Sequence, residues 1–193
     1  MKVLILCLIA VGGLSNYVES VVLHCDFKYD RYGYKCEVNS LTITSKDDRT
    51  ITDVVGEHVS GKSNSDVKHF DCDRQIVKFF PLGLATLFTN LDRVSIHDAK
   101  LSEIHSSDLQ QFGGKLKHLW LNHNEVEFLE AGLFQFNANL ETIDFYGNKL
   151  KQIDVGTFRG LTRLNYLDLH GGNVCIDRFS SKGSEVVDLI NDV

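Results

Sequence analysis

The sequence predicts an α/β repeat solenoid, with short parallel strands along one face and a small β cap at its N-terminal end. Two observations carry this. Leu116, Leu119, Leu121, Asn124, Val126, Leu129 and Phe134 stand 0, 3, 5, 8, 10, 13 and 18 residues into a unit. Twenty-four residues on, Leu140, Ile143, Phe145, Asn148, Leu150, Ile153 and Phe158 occupy the same offsets. Offsets 3 and 5 alternate as a strand does, the chain turns at the Asn of offset 8, and the later ones describe an irregular or helical return. No such unit buries its apolar side alone, so stacked neighbours must supply the core.

The register extends outward. Leu91, Val94, Ile96, Leu101, Ile104 and Leu109 fit the frame with Ala99 at the Asn position, and Val67, Phe70, Cys72, Val77 and Phe80 fit it with Gln75 there. Leu164, Leu167 and Leu169 open a last unit, in which Gly172 falls at the Asn position. The units are therefore five, starting at Val67, Leu91, Leu116, Leu140 and Leu164. The pattern L-x-x-L-x-L-x-x-N-x-L is that of a leucine-rich repeat solenoid. Its buried Asn amide bonds backbone groups that would otherwise be orphaned. With Asn in only two units, Asn124 and Asn148, the ladder should be short and the outer units looser.

In chain order, the basic start at Lys2, the apolar run Val3–Val11 and the small Val18 and Ser20 mark residues 1–20 as a secretory signal peptide. Residues 21–66 form the cap: Tyr34, Cys36, Val38, Leu41 and Ile43 alternate with polar residues, and a Cys25–Cys36 bridge would close two strands over the open end of the core. Gly61-Lys62-Ser63 lacks the spacing and flanking elements of a phosphate loop and reads as a surface turn. The repeats occupy 67–175 and a tail follows over 176–193. After the leader no run is long enough to span a bilayer, and no Asn stands in an N-x-S/T acceptor. A net charge of −6 offers no footprint for nucleic acid or an anionic membrane.

The leader followed by Cys25 and Cys36, the run His58-x-x-Gly61-Lys62-Ser63-Asn64-x-Asp66-Val67, and Phe80-Pro81-x-Gly83-Leu84 carry a resemblance. So do Leu133-Phe134, Asp144-Phe145-Tyr146-x-Asn148 and the ending Asn173-Val174-Cys175-Ile176-Asp177. The chain resembles the small secreted leucine-rich repeat proteins of flies, midges and mosquitoes, which share their architecture with the ectodomains of Toll-type receptors. The resemblance implies extracellular recognition, with some mosquito relatives acting in immunity as disulfide-linked pairs. This sequence departs from the pattern in its few repeats and in lacking a cysteine-rich C-terminal cap and a coiled coil.

Period two places offsets 2, 4 and 6 of every unit on the concave face. One column reads His69, Arg93, His118, Thr142 and Tyr166; the next Asp71, Ser95, Trp120, Asp144 and Asp168; the third Asp73, His97, Asn122, Tyr146 and His170. The only tryptophan of the chain lies in this surface, and Trp and Tyr anchor interfaces because they bring large area with little entropy to lose. A protein partner across this face is the expectation. A structural or self-associating role through the solenoid edges is the alternative, and a hydrolase the distant third. Asp144 and Asp168 on adjacent strands, with His170 nearby, suggest a cation site or acid–base pair, but an open sheet excludes no water and no nucleophile stands beside them. No His or Cys falls at zinc spacing, so neither metal nor cofactor is expected. Four surface histidines, His69, His97, His118 and His170, should titrate near pH 6.5 and add positive charge on acidification.

The mature chain keeps Cys25, Cys36, Cys72 and Cys175. Cys175 sits four strand spacings from Cys72, roughly 19 Å, far beyond the reach of a disulfide. Cys72 occupies an inward offset. Cys175 is left either as a thiol available for a bond to another chain or as a free thiol shielded beneath the C-terminal segment.

Overall fold

The computed structural model describes residues 21–173, 175 and 178–180; the leader expected over 1–20 and most of the tail expected over 176–193 lie outside the described residues. The cap comprises β1 (Val21–Asp30), β2 (Gly33–Ser40), β3 (Thr42–Ile43) and β4 (Ile51–Val55). The repeats supply β5 (His69–Asp73), β6 (Ile76–Val77), α1 (Leu84–Leu87), β7 (Arg93–His97), α2 (Ser106–Leu109) and β8 (His118–Trp120). After these come β9 (Phe128–Leu129), β10 (Thr142–Asp144), β11 (Gln152–Ile153), β12 (Tyr166–Asp168) and β13 (Phe179–Ser180).

Among the described residues one nine-stranded sheet runs in the order β13-β12-β10-β8-β7-β5-β2-β1-β4. Its repeat strands pair in parallel with identical offsets opposite one another: Val94 faces Leu119, Ile143 faces Leu119 from the other side, and Leu167 faces Ile143. The inward leucines thus stack into columns. In one of them Cys72, Ile96, Leu121, Phe145 and Leu169 are fully buried. The return segments pair too, β3 with β6 and β9 with β11, so that the core is enclosed from both sides.

β1 and β2 form an antiparallel hairpin in which Phe27 faces Cys36, and Cys25 and Cys36 are joined by a disulfide. The hairpin does more than cover an end. β2 pairs in parallel with β5, Cys36 opposite Phe70, and Ile43 of β3 lies opposite Val77. Cys36, Val38, Leu41 and Ile43 therefore occupy the places that Phe70, Cys72, Gln75 and Val77 take in the next coil, and the cap is itself a coil of the solenoid. Gly83, at φ +87°, lets α1 begin where a Cβ would lie 2.2 Å from the Ile51 carbonyl oxygen.

The amide ladder is longer than the two rungs expected. The Asn124 amide donates to the carbonyls of Ile96 (2.7 Å) and Leu121 (3.0 Å), and its oxygen accepts from the amides of Ala99 (3.2 Å) and Leu101 (3.0 Å). Asn148 repeats this one coil later, donating to Leu121 and Phe145 and accepting from Val126. Gln75, one methylene longer, accepts from the Leu41 amide at 3.0 Å. At the other end the rung is Asn173, not Gly172: it accepts from Leu150 at 2.9 Å and donates to Leu169 at 2.8 Å. Gly171 and Gly172, at φ +91° and +108°, take up the extra residue. Among the five repeats Ala99 alone leaves its rung empty, and Asn124 reaches across to serve that coil.

Candidate functional site

The outward offsets converge on a groove of about 700 Å³ along the concave face. Of the residues expected there, His69, Asp71, Arg93, Ser95, His97, His118, Trp120, Asn122, Thr142, Asp144 and Tyr166 line it. Asp168, Tyr146 and His170 lie beyond its C-terminal end. Three further residues, Asp30, Arg31 and Tyr32, complete the lining. They form the tip of the β1–β2 hairpin, which leans back over the sheet. Sequence periodicity assigns them only to a loop. The available signal was the parallel continuation of β2 into the sheet, because a strand in that position carries its preceding turn over the same face.

The hairpin tip changes the character of three positions. Outward-facing strand residues were expected to be solvated, yet His69 is only 4% exposed, Ser95 1% and Arg93 8%. Asp168, at 4%, is buried at the other end by its own neighbours. Tyr32 rests on Trp120 with ring centroids 5.3 Å apart and meets His69 edge-on at 6.5 Å. The Arg93 guanidinium lies 4.4 Å from the Tyr32 ring centre and 5.4 Å from that of Trp120, while its Nη1 donates to the Tyr32 carbonyl at 3.3 Å. Arg31 covers Tyr32 at 4.5 Å. His118 stacks on Trp120 at 5.9 Å and shares a 3.1 Å hydrogen bond with the Thr142 hydroxyl. The only tryptophan of the chain is thus half-buried and held by rings and a cation on several sides.

Polar partners fix the remaining side chains. His69 bonds Asp30 through Nδ1 (3.1 Å) and the Ser95 hydroxyl through Nε2 (2.7 Å). Asp71 receives Lys35 at 2.7 Å and His97 at 3.1 Å. Burial by itself would raise the Asp71 carboxyl, but hydrogen bonds from His97 and Lys35 and the charges around it hold it well below the usual carboxylate range. His69, His97 and His118 do not share the one titration expected of them from sequence. The hydrogen bond it donates to Asp71 lifts the His97 imidazole, whereas burial lowers His69 and, with help from the Arg93 charge, His118.

At the C-terminal end Asp144 accepts from the Tyr146 amide at 2.8 Å, and burial followed by the neighbouring Asp168 charge raises its carboxyl. The Tyr166 hydroxyl donates to Asp168 at 3.3 Å, and burial beside the two carboxylates pushes the phenol up to about 12. His170 hydrogen bonds Asp168 through Nδ1. Tyr146 stands between His123 and His170, at 4.9 and 4.7 Å between ring centres. Its ring lies against Gly171, where a Cβ would approach to 2.5 Å. Among the described residues no group of three or more His, Cys, Asp or Glu side chains could hold a metal ion, and no helix is long and apolar enough to cross a membrane. Cys72 is a buried thiol and Cys175 an exposed one.

Residues 114–174 match the family described as leucine rich repeat. No curated protein matches the sequence. Among solved structures, a chain in the Toll–Spatzle complex from Drosophila superposes with a TM-score of 0.53 at 15% identity, over 67% of this chain and 18% of that one. A chain in the TLR13–ssRNA13 complex superposes with a TM-score of 0.51 at 22% identity, over 65% of this chain and 19% of that one. This chain thus spans less than a fifth of either. Its fold is a leucine-rich repeat solenoid of Toll-like architecture.

Proposed function

We propose that this chain is a secreted recognition module that binds a protein partner across its concave groove. In this reading residues 1–20 are a leader, 21–66 a cap that also walls the site, 67–175 the repeats and 176–193 a tail. The carrying observation is the placement of Trp120 and Tyr32 against each other at the floor and wall of a groove of about 700 Å³ whose remaining lining is polar. Aromatic anchors ringed by hydrogen-bonding groups are the usual centre of an interface. The likeness to chains of the Toll–Spatzle and TLR13–ssRNA13 complexes supports recognition as the use of the fold. Between protein and RNA, the net charge of −6 and the groove carboxylates Asp30, Asp71 and Asp144 favour protein. No catalytic role is assigned to Asp144 and Asp168.

The test is affinity capture of partners from the fluid bathing the producing tissue, with and without reductant, followed by Trp120→Ala and Tyr32→Ala. Loss of a central aromatic anchor costs about 2 kcal/mol or more, roughly a thirtyfold drop in affinity. A captured partner that binds both variants as tightly as the parent protein overturns the concave-face assignment. The self-association reading draws on one observation: β4 ends the sheet, and Val55 and Val59 beside that edge are exposed. Under it, Val55→Lys shifts the protein from dimer to monomer in sedimentation while Trp120→Ala does not.

A further inference from the structure

Arg93 is an exception among the buried cations. A buried charge is normally paired, because its desolvation is otherwise uncompensated. Lys35, equally buried, has Asp71 at 2.7 Å and Glu37 at 2.5 Å, and Arg49 has Asp108 at 2.6 Å. Arg93 has no carboxylate within ion-pair distance among the described residues. Its Nε is sealed from solvent with no hydrogen-bond partner, and Nη1 reaches only the Tyr32 carbonyl, at 3.3 Å. The acids that act on it through space are held elsewhere or do not reach it. Asp30 takes the Tyr32 amide at 2.7 Å and His69 at 3.1 Å, and Asp92 keeps a buried oxygen without a partner.

The surroundings orient this guanidinium rather than neutralise it. Its Cζ stands over the Tyr32 and Trp120 rings, which attract the cation without taking up its N–H donors. Arg31, exposed and also without a carboxylate at ion-pair distance among the described residues, adds positive field from the hairpin tip. Burial disfavours the charged forms of His69 and His118, so the permanent positive charge beside Trp120 is that of the two arginines. The hairpin tip also closes the groove here, so a bound segment ends or turns at Arg93 instead of running past it.

Resting on the recognition reading above, we propose that the closed N-terminal end of the groove is a carboxylate-binding subsite, in which Arg93 receives a chain-terminal or Asp/Glu side-chain carboxylate of the protein partner. A planar guanidinium matches a carboxylate through paired N–H···O bonds. A polyanion fits less well. Asp71 and Asp144 line the rest of the groove and repel a phosphate backbone, whereas one carboxylate at the Arg93 end leaves them facing neutral or basic groups of the partner.

Trp120, the only tryptophan, lies against Arg93, so its fluorescence reports on the subsite directly. The full-length mature protein is titrated with N-acetyl-Gly-Phe carrying a free carboxylate and with its amide. N-acetyl-Gly-Glu-Gly-amide and its Gln counterpart, and a ten-residue oligouridylate, follow. One of the acid peptides should saturate the signal at least tenfold more tightly than its neutral counterpart, as loss of a charge-assisted pair implies. Which acid does so identifies the source of the carboxylate. Arg93→Gln should erase that preference, and Arg93→Lys should weaken it by removing the fork while keeping the charge. Equal binding of acid and amide, a preference that survives Arg93→Gln, no binding of any peptide, or tighter binding of the oligouridylate overturns the proposal. The acid–amide comparison on the unaltered protein decides even where a variant fails to fold. Loss of a captured partner in Trp120→Ala but not in Arg93→Gln would leave the recognition reading standing and this subsite refuted.

Discussion

Asn124→Ala tests the physical account of how the coils hold together. Asn124 is 4% exposed and serves five backbone groups in two coils. Removing it does not orphan them all, since the Leu121 carbonyl keeps the Asn148 amide at 2.8 Å. The Ala99 and Leu101 amides and the Ile96 carbonyl lose the side-chain partner. A buried polar group left unsatisfied costs about 1–3 kcal/mol, and water entering the vacated space lowers the total toward the small end. The expected destabilisation is about 3–5 kcal/mol, a large part of the roughly 5–15 kcal/mol typical of a domain. In urea, at about 2 kcal/mol per molar, the midpoint falls by about 1.5–2.5 M. Gln75→Ala is the internal standard: half-buried and serving the Leu41 amide, it should cost about 1 kcal/mol. Equilibrium unfolding followed by circular dichroism measures both. If Asn124→Ala loses no more than Gln75→Ala, backbone satisfaction is not what the ladder supplies.

Three further outcomes follow. Cys175→Ser should abolish any reductant-sensitive dimer of the secreted protein on non-reducing electrophoresis, since Cys72 is buried and Cys175 exposed; a parent protein that runs only as a monomer refutes the interchain bond. Burial raises the Cys175 thiol, so alkylation at neutral pH should be slower than for an unhindered cysteine. Stability should fall as pH drops below about 6.5, because the unfolded chain takes protons there that buried His69 and His118 resist. His97 opposes this: its raised value gives stability that is present below about 6.5 and is lost as pH rises through the folded value. His97→Gln should therefore steepen the acid-side fall in urea midpoint and His69→Gln flatten it; the reverse order refutes the assignment.

The repeat register was legible because its period is carried by residues with one role. Leu119 and Ile143 can only face inward, and matching offsets 24 residues apart place them opposite one another across β8 and β10. Rungs of the ladder were legible only where the residue type and position both matched. Gln75 performs the same task with a longer side chain, and Asn173 performs it one residue late, after two glycines whose left-handed backbone absorbs the shift. A strict-offset reading has no term for either compensation. The cap's role as a coil was visible in the spacing of Cys36, Val38, Leu41 and Ile43, but β1 running antiparallel beside β2 obscures it.

The site was legible as a face and not as an environment. Period two correctly selects Arg93, Ser95, Trp120 and Asp144 as groove residues, because alternation is a property of the backbone. Whether such a residue is wet depends on what stands above the sheet, and that is decided by Asp30, Arg31 and Tyr32, some 60 residues from Arg93 in sequence. The same tip turns His69 from a solvated imidazole into a buried one bonded to Asp30 and Ser95. It turns Arg93 from a rim cation into a desolvated guanidinium between two rings. A surface that periodicity describes as uniform therefore divides into a closed cationic and aromatic end under the hairpin and an open carboxylate end at Asp144. Any partner that spans the groove must meet those two ends in a fixed direction, and that polarity comes from the cap as much as from the repeats.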